Sequence, residues 1–320
     1  MMRTSSNITG AVCMIAAMAG FALNDATAKL LTEEIGVGQI MFFRGLIITA
    51  FAMLIAWRSR VLKNIGAVFD FRVLVRSVCE LVAALSFLQA LKAMPLANAA
   101  AILQCLPLAV TLGAALFMSE PVGWRRWSAI AVGFIGVLII IRPGPGGFEE
   151  GAVFAIIAML AASARDLLTK TIRSDIPAIV ITLATAIFLT LGGAVLGTVE
   201  QDWSMMSWPI LFKLMLAAAF LLSGYQFVVF AVRLADISYI APFRYAGLLW
   251  ATLLGMIIFS TYPDINVLGG GLIIVAAGLY SFYRERKKGL EPLAATDQPV
   301  ASEGGGPIVK AEEDMLKDKS

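Results

Sequence analysis

From residue 8 to residue 283 the chain is a succession of apolar runs, each long enough to cross a bilayer, with short polar breaks between them. A spanning helix needs about 20 mostly apolar residues. Divided at proline, glycine and charge clusters, the runs lie at 8–31, 38–57, 72–92, 96–118, 124–141, 151–171, 177–199, 210–233, 237–260 and 265–283. In hydrocarbon every backbone N–H and C=O must be paired within its own segment, so such runs fold as helices. The short connections make consecutive helices antiparallel neighbours. The expected fold is an all-α integral membrane protein with ten transmembrane helices. Composition agrees: 59% of residues are apolar and 15% charged, against about half and a quarter in a soluble domain. One membrane anchor does not account for runs that recur along the whole chain.

Lys and Arg alternate between the two ends of these spans, and cytoplasmic loops are the ones enriched in them. With Arg3 in the cytoplasm, the same side receives Arg58, Arg60 and Lys63, then Arg125 and Arg126, then Lys170 and Arg173, then Arg233, and last Arg284, Arg286, Lys287 and Lys288. The other side receives Thr32 to Glu34, Arg142 with Glu149 and Glu150, Glu200 with Asp202, and Asp264. An odd number of spans scrambles this alternation, so ten spans with both termini in the cytoplasm are expected. Residues 289–320 are polar and rich in charge, Gly and Pro, the composition of a disordered tail.

Several chemistries are excluded or disfavoured. The net charge of +3 is small and no basic stripe carries interleaved aromatics, so no nucleic-acid partner is expected. Histidine is absent, which removes the commonest general base and metal ligand. Cys13, Cys79 and Cys105 are odd in number and lie in apolar runs, which argues against a disulfide framework and gives no zinc spacing. No phosphate-binding or dinucleotide-binding glycine motif is present. No cofactor or metal is expected, and an enzymatic role is disfavoured.

An offset of 141 positions lays Asp25 on Asp166, Lys29 on Lys170 and Lys92 on Arg233. One further position lays Gly113 on Gly255, Pro121 on Pro263 and Gly136 on Gly278. Five spans per half is an odd number, so the second half is inverted relative to the first, a recurring plan of secondary transporters. The halves are expected at 1–143 and 148–288, joined through Arg142 to Gly147. The first 28 residues also fit a secretory signal ending in Ala26-Thr27-Ala28. The mid-chain copy at Asp166 and Lys170 argues for a retained helix instead.

These features carry a resemblance. The early Asn24-Asp25-Ala26-Thr27-Ala28-Lys29 and the stretch Leu91 to Gly144, with its Glu120–Pro121 turn, Gly133, Gly136 and terminal Arg142–Pro143, resemble the drug/metabolite transporter superfamily in its EamA-like branch. The resemblance covers about residues 8 to 288. Phe21-x-x-x-Asp25-Ala26-x-x-Lys29 and Gln39-x-x-x-Phe43-Arg44 look like the riboflavin transporters of alphaproteobacteria within that branch. The resemblance implies a bacterial inner-membrane protein that moves a small metabolite by alternating access, with riboflavin uptake as the specific expectation. Related members move amino acids, S-adenosylmethionine or other metabolites, inward or outward. The second half has no counterpart of Arg44, Arg76, Glu80 or Glu120, so chemistry resting on those groups is asymmetric. No oligomeric state is implied.

Charges within the spans are candidate site residues, because each costs about 2.5–3.5 kcal/mol at the bilayer centre. Asp25 with Lys29, Arg76 with Glu80, and Asp166 with Lys170 have i,i+4 spacing, which places each pair on one helix face. The first and last pairs would lie at opposite membrane faces as alternate gates. Asp25 and Lys29 either touch cargo or hold the outer end of the first helix. Arg44, Arg165 and Arg244 are further intramembrane cations. Glu80 is a candidate proton carrier. Gln104, with Pro107 as a kink, and Tyr225, Gln226, Tyr245 and Trp250 suit a flat, hydrogen-bonding ring. The other tryptophans read as interfacial belts. Gly133, Gly136 and Gly269 to Gly271 read as helix-packing surfaces. A membrane-embedded enzyme and a passive channel or scaffold are the competing classes.

Overall fold

The computed structural model describes residues 2–58, 66–120, 123–142, 149–173, 176–201, 203–235 and 237–287, and these form helices joined by short turns. The expected tail at 289–320, most of the Arg142–Gly147 link, Arg60, Lys63, Pro121, Asp202 and Lys288 lie outside the described residues. The helices are α1 (Met2–Thr32), α2 (Val37–Arg58), α3 (Phe71–Ala93), α4 (Leu96–Leu103), α5 (Leu106–Phe117), α6 (Trp124–Ile141), α7 (Glu150–Thr171), α8 (Ala178–Val199), α9 (Trp208–Leu234), α10 (Ile237–Ile240), α11 (Ala246–Phe259) and α12 (Ile265–Lys287).

Nine helical stretches among the described residues are long and apolar enough to cross a membrane. The expected run at 72–92 is a helix of 23 residues, α3, but it carries Arg72, Arg76, Glu80 and Lys92 and is not one of the nine. Two expected spans are interrupted. Residues 96–118 divide into α4 and α5 at Gln104–Cys105, because Pro107 in the first turn of α5 has no N–H to continue the ladder. Residues 237–260 divide into α10, a 3₁₀ turn at Ala241–Tyr245 that contains Pro242, and α11.

The bundle is inverted in polarity relative to a soluble one. Leu54, Val132, Ile135, Leu160, Phe212, Ile257 and Leu272 face outward, while Arg44, Arg76, Glu80, Arg165 and Asp166 are each 7% exposed or less. Hydrocarbon around the bundle makes that arrangement favourable, and water would not. The chain is thus an all-α, multi-pass membrane protein.

Four long pairs build the bundle: α1 with α9, α2 with α8, α3 with α7 and α6 with α12. The interrupted helices α4 and α11 pack on each other at its centre. Directions follow from the ends that meet. The Lys29 ammonium near the end of α1 bonds carbonyls at the end of α3, so these two run parallel. Arg72 at the start of α3 reaches the Thr171 carbonyl at the end of α7, so α7 runs the other way. Lys213 early in α9 pairs with Glu34 just past α1, so α9 also opposes α1. Arg142 closes α6 onto Asp264 at the start of α12.

Close crossings use glycine at Gly136 and Gly270, whereas Gly269, expected in the same packing surface, meets open space. A Cβ on Gly136 would stand 2.8 Å from the Gly270 carbonyl oxygen, and one on Gly270 2.6 Å from that of Gly136. Only glycine admits the α6–α12 approach at this point.

Candidate functional site

Charge gathers where α3, α7 and α8 meet. Arg76 donates through Nη1 to the Thr185 hydroxyl at 2.6 Å and through Nε to the Thr169 hydroxyl at 3.2 Å. Thr185 donates in turn to the Ile181 carbonyl, which leaves its oxygen free to accept. Glu80 Oε2 accepts from Arg165 at 3.0 Å and lies 3.8 Å from Arg76 Nη2. Arg165 also pairs with Asp166. Two cations and two anions thus form a buried, formally neutral quartet that fixes α3 against α7.

Arg76 and Glu80 share a helix face as their spacing predicts, but Arg165 is the nearer partner of Glu80. The Asp166 carboxylate is held by Arg165, and Lys170 lies half-buried one turn beyond it. The long guanidinium of Arg165 reaches both acids, which overrides the i,i+4 arrangement of Asp166 with Lys170.

A second polar group joins α1, α2 and α9. Asn24 donates to Asp25 Oδ1 at 3.0 Å and accepts from Arg44 Nη2 at 3.3 Å. Arg44 sits in the field of Asp25 and Tyr225. Tyr225 is buried, meets the Phe21 ring edge-on at 5.2 Å, and interacts electrostatically with Glu80 and Arg165. Tyr225 thus lies within electrostatic range of both groups.

Lys29 departs from its expected pairing with Asp25. Its ammonium donates to the Leu91 carbonyl and, at 2.9 Å, to the Met94 carbonyl, and stands 5.5 Å from the Phe259 ring centroid. Carbonyls in the last turn of a helix have no intrahelical donor, so a cation there is doubly favoured. The Glu33 carboxylate also lies within electrostatic range of Lys29.

Two cavities meet at the interruptions. The first has an empty volume of about 460 Å³, open space included, and is bounded by Phe21, Asp25, Phe87, Gln104 and Arg244. The second, about 550 Å³, is bounded by Gln104, Thr111, Pro242, Arg244, Tyr245 and Phe282. Gln104 and Arg244 are the residues common to both. Gln104 is 7% exposed, and among the described residues its side chain makes no hydrogen bond. An amide donor and an amide acceptor therefore face the cavities together.

The remaining candidates lie elsewhere. Trp250 donates to the Ile15 carbonyl at 3.2 Å and packs on α1. Gln226 is on the exposed face of α9, beside the buried Tyr225. Asn24, Phe21, Phe87, Thr169 and Thr185 complete the two polar groups and the cavity walls without having been singled out as site residues. Adjacency to Asp25 marks Asn24, and the aromatic–acid spacing marks Phe21. Nothing in the sequence marks Thr185, whose partner Arg76 lies 109 positions away. Among the described residues no cluster of three or more Cys, Asp or Glu is arranged to hold a metal.

Comparison with known proteins adds four findings. Residues 8–142 match the EamA-like transporter family. The chain is similar to an S-adenosylmethionine uptake transporter of Rickettsia prowazekii, 24% identical over 83% of this chain and 89% of the relative. It is also similar to a riboflavin transporter of Rhizobium johnstonii, 27% identical over 90% of this chain and 95% of the relative. A solved crystal structure shares the fold with a TM-score of 0.53 at 17% identity, over 89% of this chain and 99% of that one.

Proposed function

We propose that the whole chain, whose residues 8–142 match the EamA-like transporter family, is a ten-helix secondary transporter made of two inverted five-helix halves, 1–143 and 148–288. The tenth span is α3, whose mid-helix charges Arg76 and Glu80 are buried in the quartet, while Arg72 and Lys92 are exposed near its two ends. Local geometry supports the repeat at the offset found in the sequence. The Thr49 and Thr190 hydroxyls, 141 positions apart, stand 3.4 Å from each other across the α2–α8 crossing. Ser119 and Ser260, also 141 apart, both have positive φ, at 55° and 51°. The following amides close matching bonds, Glu120 to the Ala114 carbonyl and Thr261 to the Gly255 carbonyl. Exchange of the halves also maps the α1–α9 pair onto the α7–α3 pair.

The observation that carries transport is the placement of Gln104 and Arg244. Each sits at the interruption of a central helix, and both line the two cavities. Interrupted helices in corresponding positions mark the substrate site of inverted-repeat transporters. The cargo is a small metabolite, with riboflavin uptake as the specific reading. Phe21, Phe87 and Tyr245 offer apolar faces, and the Gln104 amide offers an adjacent donor and acceptor for a flat heterocycle. A zwitterion such as S-adenosylmethionine or an amino acid is the second reading, because Asp25 and Arg244 bring opposite charges to one cavity. Asp25, Arg44, Tyr225 and the Arg76–Glu80–Arg165–Asp166 quartet shape the wall behind it. The protein resides in the bacterial inner membrane with both termini in the cytoplasm, and it is not an enzyme.

The test is growth. A riboflavin-auxotrophic host without its own importer should grow at low external riboflavin when it expresses this chain. Absence of rescue by protein that is abundant in the membrane would remove riboflavin and leave the transporter reading intact. Uptake of labelled riboflavin and S-adenosylmethionine into the same cells separates the two cargoes.

A further inference from the structure

The two ends of the bundle are built alike but joined differently. At one end α3 stops at Met94, whose N–H bonds the Ala90 carbonyl with φ −141° and ψ 164°. At the other, α9 stops at Ala235, whose N–H bonds the Ala231 carbonyl with φ −139° and ψ 157°. These caps are 141 positions apart, as are Lys29 and Lys170. Lys29 holds the α3 cap through the Leu91 and Met94 carbonyls, and α1 packs on α3. The corresponding carbonyls of α9 belong to Val232 and Ala235. Lys170 makes no hydrogen bond or ion pair among the described residues, and α7 and α9 share no comparable packing. The second cavity, between Pro242 and Phe282, lies toward this same end.

We infer that Lys29 and Lys170 are alternating latches, each closing one end of the bundle by capping the helix that its repeat position dictates. In the state described, Lys29 is engaged and the Lys170 end is unlatched. In the opposite state α1 leaves α3, Lys29 is released, and Lys170 donates to the Val232 and Ala235 carbonyls. The energetic logic is symmetric: the last carbonyls of a helix lack intrahelical donors, and a cation satisfies them only when the neighbouring helix is near. The gates are therefore lysine-to-helix-end contacts and not the Asp–Lys pairs that the spacing implies. This inference rests on the two-ended cycle proposed above and not on its cargo.

The test uses the full chain in lipid nanodiscs with Cys13, Cys79 and Cys105 replaced and spin labels on introduced cysteines. One pair, Glu33→Cys with Ala93→Cys, reports the Lys29 end. The other, Ile172→Cys with Val232→Cys, reports the Lys170 end. Lys29→Met should lengthen the first distance and shorten the second, whereas Lys170→Met should remove any short population of the second. Lys170→Met should also slow uptake at least tenfold although the Lys170 side chain makes no bond to the described residues in this state, and Lys170→Arg should restore it. The inference is overturned if Lys170→Met leaves both distance distributions as in the wild type, or if Lys29→Met lengthens the first without shortening the second. Should Lys29→Met fail to accumulate, Lys170→Met decides alone, since the Lys170 side chain makes no bond among the described residues whose loss would unfold this state. The distances need no cargo, so failure of riboflavin uptake leaves them interpretable.

Discussion

Arg165 donates to Glu80 at 3.0 Å across the α3–α7 crossing, and both side chains are almost wholly buried. The same guanidinium holds Asp166, so its removal leaves two carboxylates without their main cation. Breaking a buried pair from one side costs about 3–5 kcal/mol, because the remaining charge stays desolvated. Arg165→Met should destabilise the protein on that scale in detergent unfolding. Adding Glu80→Leu to Arg165→Met should recover part of the loss. If the double variant is worse than the single one, Glu80 has another strong cation, and Arg76 is the place to look.

Gln104 gives the opposite expectation. Its amide makes no bond among the described residues, so Gln104→Leu removes nothing that holds this state together and should change the unfolding midpoint little. Uptake should fall at least tenfold, mainly through a raised KM, since a lost hydrogen bond to a neutral group weakens binding by about 0.5–1.5 kcal/mol and an unpaired polar group on the cargo adds about 1–3. A variant that transports normally would place the cargo away from the helix interruptions.

Much of this architecture is legible in the sequence because lipid imposes one rule per segment: about 20 apolar residues, all backbone groups paired internally. Expected spans such as 124–141 and 151–171 accordingly fall within one residue of α6 and α7. The break at Gln104 is legible because Pro107 removes a donor. Partner choice is not. Spacing of i,i+4 states that Asp25 and Lys29 share a face, but not that a helix end lies within reach of Lys29. Likewise Arg76 reaches Thr185, a contact between helices whose register depends on packing and not on local pattern.

The α6–α12 crossing predicts a contrast between neighbouring glycines. Gly270→Ala forces a methyl to within 2.6 Å of the Gly136 carbonyl, whereas the space around Gly269 is open. Overpacking costs about 1–3 kcal/mol, so Gly270→Ala should lower the unfolding midpoint. Gly269→Ala should raise it slightly, as glycine within a helix is worse than alanine by about 0.5–1 kcal/mol. Equal effects at the two positions would show that the helices sit farther apart.

Ser260 and Arg142 both end helices in the left-handed region, with φ of 51° and 49°. Side chains pay roughly 1–2 kcal/mol for that conformation and glycine does not. Among the described residues the Ser260 side chain makes no hydrogen bond, so Ser260→Gly should stabilise the protein by about 1 kcal/mol. Arg142 differs because it also pairs with Asp264. Both partners are nearly half exposed, with 47% and 46% of their side-chain surface open, and exposed pairs contribute about 0–1 kcal/mol. Loss of that pair offsets relief of the backbone, so Arg142→Gly should come out near neutral. Thermal unfolding of the two variants side by side checks the ranking. If Arg142→Gly were the more stable of the two, the Asp264 pair would contribute nothing, and if it fell well below the parent, the pair would act as a genuine clasp between α6 and α12.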